Sequence, residues 1–281
     1  MRETAFAKIN LTLDISGQRE DGYHLLSTLM HTVSLQDDVE LYEADRFELL
    51  CDSPTLPTDD RNLCRKAAKV FFERYDIGEP SLGLSLTKRI PSGAGLGGGS
   101  SDAAAVLRLL RRWYGIPGSL NELAPLASEI GADVPFFLRG GFQLAEGIGE
   151  RLTPIVQPLA LSVVLLKGEL SASTPGIYRA YDLQHPISHR GTVRFLSALR
   201  DGGDLFAAVS NDLASVTASF CPQIDLWKKR LRECGALAAE MTGSGSAVFG
   251  LFSDQNTAAS AMEQISAPFR ALCDTVSGYG E

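Results

Sequence analysis

The chain has 281 residues, 44% hydrophobic and 21% charged, with 27 Gly and 13 Pro, an ordinary globular composition that excludes wholesale disorder and collagen-like repeats. Lys and Arg number 26 against 34 Asp and Glu, and the net charge of −8 argues against non-specific partners such as nucleic acid or an anionic membrane while leaving room for one local anion site. Five scattered cysteines without a C-x-x-C pair, and only four histidines, exclude a disulfide scaffold and a His/Cys metal cluster.

The first ten residues carry no apolar signal segment, and the strongly apolar run at 159–166 is too short to cross a bilayer, so a soluble cytoplasmic protein is expected. Ile9, Leu11, Leu13 and Ile15 recur at every second position and predict a half-buried strand ending at Ser16 and Gly17. Residues 18–23 read as a turn-rich loop, and 25–35, 38–42 and 47–51 as further strands, until Pro54 and Pro57 break the pattern. Residues 62–75 have helical spacing, with Leu63, Ala67, Val70 and Phe71 on one side. Leu82, Leu84 and Leu86 alternate along a strand running to Ile90.

After a glycine-dense loop the pattern predicts a helix over 102–114, N-capped by Ser100 or Ser101, with Asp102 at its positive end and Arg108, Arg111 and Arg112 toward the other. A second helix over 121–130 stops at Gly131, and short strands are expected at 136–138 and 141–144. Beyond Pro154 come a buried strand at 161–166, helices near 175–181, 193–199, 205–216 and 223–233, and strands at 237–241 and 247–252 around a second glycine-rich loop. A helix over 255–265 and a strand near 272–276 finish the chain. Strands and helices mix without strict alternation, so the expected class is α+β, with domains over 1–155 and 156–281.

The most informative segment is Pro91-Ser92-Gly93-Ala94-Gly95-Leu96-Gly97-Gly98-Gly99-Ser100-Ser101. No Lys follows Gly98, which excludes a Walker A loop. No acidic residue occurs between Arg108 and Asn121, which speaks against a dinucleotide fold, and the H-R-D and D-F-G triplets of protein kinases are absent. What remains is a loop whose backbone N–H groups can converge on an anion, backed by the positive end of the following helix. Ser100 and Ser101 add hydroxyls to that end.

That loop and the following Asp102-Ala103-Ala104-Ala105 resemble the phosphate-binding motif of the GHMP kinases (galactokinase, homoserine kinase, mevalonate kinase, phosphomevalonate kinase). Ala7-Lys8-Ile9-Asn10-Leu11 resembles the N-terminal motif of the family, and Thr242-Gly243-Ser244-Gly245-Ser246-Ala247 its C-terminal one. The resemblance implies an N-terminal ribosomal-protein-S5-like domain, a C-terminal ferredoxin-like domain, a site between them, and ATP with Mg²⁺, for which no holding residue is assigned. Arg19-Glu20-Asp21-Gly22-Tyr23-His24 and Gly131-Ala132-Asp133-Val134-Pro135-Phe136 are similar to the members that phosphorylate a cytidine diphosphate-linked methylerythritol on the non-mevalonate route to isoprenoids. Another small-alcohol kinase of the family, or a nucleotide-binding protein without catalysis, is the alternative.

Lys8 sits in an apolar strand start, where a charge needs a partner, and Asp133 follows a helix-ending glycine; from the residues alone a catalytic pair stands even with a structural ion pair or two solvated charges that never meet. The resemblance makes Asp133 the base or orienting group at the attacking hydroxyl and Lys8 its cationic partner. It likewise makes Asn10, Tyr23, His24 and Thr174 substrate contacts, the ring of Tyr23 and the imidazole of His24 suiting a cytosine. Lys88 and Asn62 are candidates for the adenine nucleotide, a solvated strand-end charge being the other reading of Lys88. Gly243 and Gly245 could wrap the substrate diphosphate or form a plain turn, and Thr174 doubles as a helix cap. Lys167-Gly168 departs from the usual Pro-Gly pair of these kinases. A monomer or weak homodimer is expected.

Overall fold

The computed structural model describes residues 1–78, 80–171, 173–184 and 188–279. Its first half is built on two long antiparallel strands, β1 (Arg2–Gln18) and β2 (His24–Glu43). Residues 25–35 and 38–42, expected as two strands, are one. A register shift where Phe6 pairs Gln36 and Ala7 pairs Val33 absorbs the irregularity without ending the ladder. Then follow β3 (Glu48–Cys51), α1 (Leu63–Arg74), β4 (Leu82–Thr87) and α2 (Gly98–Trp113). A 3₁₀ turn at Leu120–Leu123 leads into α3 (Ala124–Ile130), with Pro125 in the first turn where its missing N–H costs no helical hydrogen bond.

Residues 136–138 are helical rather than extended. They belong to α4 (Val134–Arg139), whose early proline favours a helix start and whose Phe136 and Phe137 fill the core. A short apolar run has no period of its own, and here tertiary burial decides. The strands β5 (Phe142–Gly147) and β6 (Arg151–Pro154), the latter unforeseen, form a hairpin on the edge of β2.

The second half comprises β7 (Ser162–Lys167), α5 (Thr174–Gln184), α6 (Gly191–Asp201), β8 (Ser210–Asn211), α7 (Ala214–Phe220), α8 (Gln223–Glu233), β9 (Ala238–Met241), β10 (Val248–Phe252), α9 (Gln255–Gln264) and β11 (Phe269–Asp274). The single helix expected over 205–216 is instead a 3₁₀ turn (Phe206–Ala208), the strand β8 and the start of α7. Asn211 explains the break, because its Oδ1 accepts from Leu213 N at 2.9 Å while its amide holds Met241 O and Gly243 O at 2.9 and 2.8 Å.

The first sheet is seven-stranded, with the path β3-β4-β2-β1-β8 and β5 and β6 branching from β2. The second runs β11-β7-β10-β9, with every pair antiparallel. That is the β-α-β-β-α-β order of a ferredoxin-like unit. Ala7, Ile9 and Leu11 of β1 meet Val163, Leu165, Phe249 and Leu251 of the second sheet in one core cluster. The helices α1 to α4 pack with the first sheet in another, and α5, α7, α8 and α9 cover the far side of the second sheet in a third. The two sheets are therefore joined by an apolar seam.

Candidate active site

Side chains alternate across a strand, and in β1 the odd positions enter the apolar core while Lys8, Asn10, Thr12 and Asp14 form a polar row on the other face. All four are buried, so each needs a partner. Asp14 takes the N–H groups of Gly191 and Thr192 at 2.8 Å each and so caps α6, and Thr12 meets the Thr192 hydroxyl at 2.8 Å. Lys8 and Asn10 are left facing a cleft of about 920 Å³ that runs from the glycine loop to the β1–β2 hairpin.

Three separated segments meet at one end of that cleft. Asn10 N donates to Thr242 Oγ1 at 3.0 Å, and that hydroxyl lies 3.2 Å from both Asn10 Oδ1 and Gly95 O. Lys8 N donates to Leu96 O at 3.0 Å and Ala247 N to Ala94 O at 3.1 Å. The contact requires glycine. Gly95 has φ +76°, and a Cβ there would lie 2.1 Å from Thr242 O; Gly97, at φ +73°, would drive one to 2.5 Å from the Phe137 ring. Gly97 also caps α2, so the helix begins at Gly98 rather than at 102, and neither Ser100 nor Ser101 is its N-cap. The Ser101 side chain is buried and lies 3.5 Å from the Tyr279 hydroxyl instead.

Asp133 is the N-cap residue of α4 and faces the cleft, and its Oδ2 stands 4.0 Å from Lys8 Nζ. The two side chains differ sharply in exposure, 4% for Lys8 and 42% for Asp133. Lys8 also donates to Asn10 Oδ1. Burial lowers the Lys8 pKa, and the Asp133 charge offsets this only in part. A carboxylate held open beside a buried ammonium can accept a proton from a bound hydroxyl while the ammonium balances the charge that develops.

Lys88 reaches the cleft wall, where its ammonium is held between the carboxylates of Asp37 and Asp102. Asp37 also accepts from Ile90 N at 2.8 Å, which ties the strand end ahead of the glycine loop to β2. Burial works against the Lys88 charge, yet the two carboxylates outweigh it and raise its pKa. Asp102 is pushed up to about 7, chiefly by burial, and its Oδ1 has no hydrogen-bond partner.

At the other end, Tyr23 projects from the hairpin with 61% exposure. His24 Nε2 lies 2.6 Å from Asp182 Oδ1, and its ring stacks on Tyr178 at 4.7 Å between centroids. Thr174 Oγ1 and Ser244 Oγ are 2.7 Å apart where α5 meets the second glycine loop. Burial, and then the Asp133 charge, raise the Tyr178 pKa, which keeps that hydroxyl protonated.

The cleft thus gathers Lys8, Asn10, Tyr23, His24, Lys88, Asp133, Thr174, Gly243 and the loop from Pro91 to Ser100. Asn62, Ser101 and Gly245 do not line it. Asn62 is the N-cap of α1, with its carbonyl on Cys64 N and its amide on Pro57 O, so both ends of its side chain are already engaged. Gly245 turns toward Met241 and Thr217. Lys167, at the departure from Pro-Gly, donates to Gly168 O at 2.9 Å and steadies the loop after β7. Sequence reasoning missed Tyr178, Asp182 and Ser244. The spacing of four from Thr174 through Tyr178 to Asp182 was the available signal for two of them.

Among the described residues no group of three or more His, Cys, Asp or Glu gathers as for a metal, and no helix is long and apolar enough to cross a membrane. The family model for the GHMP kinases N terminal domain matches residues 62–141, and that for the GHMP kinases C terminal matches 195–271. A 4-diphosphocytidyl-2-C-methyl-D-erythritol kinase of Clostridium botulinum (strain Eklund 17B / Type B) is 41% identical over 257 residues, 90% of this chain and 91% of its own. The enzyme of that name from Bacillus pumilus (strain SAFR-032) is 41% identical over 278 residues, 98% of this chain and 94% of its own. Among solved structures, a 4-(cytidine 5'-diphospho)-2C-methyl-D-erythritol kinase superposes with a TM-score of 0.80 at 34% identity, covering 100% of both chains. A homoserine kinase from Cytophaga hutchinsonii shares the fold, with a TM-score of 0.76 at 20% identity over 99% of this chain and 95% of its own.

Proposed function

This chain belongs to the GHMP kinase family, and from that membership we propose that it transfers the γ-phosphoryl group of ATP to the 2-hydroxyl of 4-diphosphocytidyl-2-C-methyl-D-erythritol, on the non-mevalonate route to isoprenoids. The observation that carries the chemistry is the meeting of Lys8 and Asp133 in the same cleft as the glycine loop. The amides between Gly93 and Gly99, with the positive end of α2, receive the phosphates of ATP. The acceptor hydroxyl lies beside Asp133, which orients it and takes its proton as the new P–O bond forms and the bond to the β-phosphate oxygen breaks, releasing ADP. Lys8 balances the charge that develops on the transferring group.

Mg²⁺ neutralises phosphate charge during such transfers and is held largely by phosphate oxygens and water. The cleft would fit that mode, since no cluster of three or more acidic, His or Cys groups gathers among the described residues and phosphate oxygens and water would hold the ion, with no side chain assigned to it. At the hairpin end, Tyr23, His24 and Tyr178 offer flat faces for a cytosine, while Thr174 and Ser244 offer hydroxyls to the diphosphate. Gly243, against Lys8, leaves room for the phosphates to pass. The acidic charge of the chain supports a soluble cytoplasmic enzyme, a monomer or weak homodimer, with a small molecule rather than nucleic acid or membrane as its partner.

ADP release from ATP, measured with a panel of alcohols, tests this reading. The cytidine diphosphate-linked substrate is expected to support turnover while mevalonate, homoserine and galactose do not. Turnover with one of the latter instead would move the protein to another branch of the family. ADP formation with none of them would leave a nucleotide-binding protein without catalysis.

A further inference from the structure

Most of the charged side chains along the cleft already have a close polar partner. Lys8 faces Asp133, Lys88 lies between Asp37 and Asp102, and Asp182 is held by His24. Arg179 lines the same cleft, is exposed, and makes no ion pair among the described residues. Its natural helical neighbour is Asp182, three positions on, but that carboxylate is engaged by His24 Nε2 at 2.6 Å. The result is a guanidinium on the cleft wall with no ion pair among the described residues, in a chain of net charge −8.

Arg179 follows Tyr178 on α5, the helix whose Thr174, Tyr178 and Asp182 face the cleft. Helical side chains lean toward the N-terminus, which carries the guanidinium back over the turn that starts at Thr174. There the Thr174 and Ser244 hydroxyls, 2.7 Å apart, offer neutral hydrogen bonds. A guanidinium presents a planar fork of donors that suits phosphate oxygens, and it stays charged at any working pH.

We propose that Arg179 is a specificity residue for the acceptor, and that it meets the diphosphate of a nucleoside diphosphate-linked alcohol. The proposal rests on the kinase reading above and adds a reason for preferring such an acceptor over an uncharged alcohol. Arg179 takes no part in the transfer itself. It lies on α5, whose first residue, Thr174, meets Ser244 of the second glycine-rich loop rather than the loop from Pro91 to Ser101.

The test is steady-state kinetics of the full chain carrying Arg179→Ala or Arg179→Lys. Being exposed, the position tolerates both. With saturating ATP, the Ala variant is expected to raise the KM of the cytidine diphosphate-linked alcohol about tenfold, the scale of one charge-assisted hydrogen bond, with kcat and the KM of ATP near wild type. The Lys variant should recover part of the loss. Added salt should weaken acceptor binding in the wild type more than in the Ala variant. An unchanged acceptor KM, or an equal rise in the KM of ATP, overturns the proposal. If the wild type shows no turnover, the kinase reading fails separately. Calorimetric titration with CDP then still decides on Arg179, with weaker binding by the Ala variant in favour and equal binding against.

Discussion

The Lys8 ammonium and the Asp133 carboxylate stand 4.0 Å apart, the first buried and the second open to the cleft. One member can therefore touch a substrate while the other is fixed beneath it. Asp133→Asn keeps the size and loses both the charge and the proton acceptor. It should lower kcat by at least ~10² and leave ATP affinity nearly intact. Turnover in single-cycle assays within a few-fold of wild type would remove Asp133 from the mechanism.

Burial lowers the Lys8 pKa below its ordinary 10.5, with Asp133 raising it only in part. Between the folded and unfolded values the unfolded chain holds the extra proton, so this group makes stability rise with pH across that window. Activity runs the other way, because catalysis needs the ammonium. The expected kcat profile falls on an alkaline limb centred below 10.5. A limb centred at or above the free-lysine value contradicts the assignment, and Lys8→Met should lose most turnover.

Asp102 titrates near 7 in the fold against 3.8 in the unfolded chain, chiefly because it is buried. In that window the folded protein holds the extra proton, so stability is lost as pH rises from about 4 to about 7 and levels off above. Asp102→Asn mimics the protonated form and removes the dependence. Urea titrations of both proteins at several pH values should show the variant gaining on the wild type as pH approaches neutrality. A gap that does not change with pH refutes the shift.

Gly95→Ala places a Cβ 2.1 Å from Thr242 O at a backbone φ of +76°. The left-handed conformation alone costs roughly 1–2 kcal/mol for an L-residue. The clash adds to that by pushing the two glycine-rich loops apart. Lower thermal stability and a raised KM for ATP are expected together. Wild-type values for both would mean that the contact is dispensable.

Much of the architecture was legible because its signals are local. The alternation of Leu82, Leu84 and Leu86 and the helical spacing of Ala67 and Phe71 mark elements that the structure contains. The misreadings share one cause, which is competition from distant contacts. Phe136 and Phe137 could fill a core as strand or helix, and the burial of their neighbours chose the helix. The stretch expected as a helix over 205–216 yields two residues to β1 because Thr12 and Leu13 need partners on that edge.

In the site, Lys8 and Asp133 were suspected because a charge in apolar surroundings demands an explanation, and the pair does meet. Asn62 illustrates the opposite case. Its polar side chain at a helix start is fully explained by capping, which position alone should have suggested. The engagement of His24 by Asp182 joins segments far apart in sequence, and no local pattern could have foretold it.

The parallel pairing of Thr12 and Leu13 with Ser210 and Asn211 has a consequence for biosynthesis. The strand that carries Lys8 and Asn10 gains a partner at Thr12 and Leu13 only from a segment made long after it. Pairings so distant in sequence are slow to form. The nascent protein therefore carries an unfinished sheet, and the face that bears Lys8 and Asn10 stays incomplete, until residues 210–211 have been made.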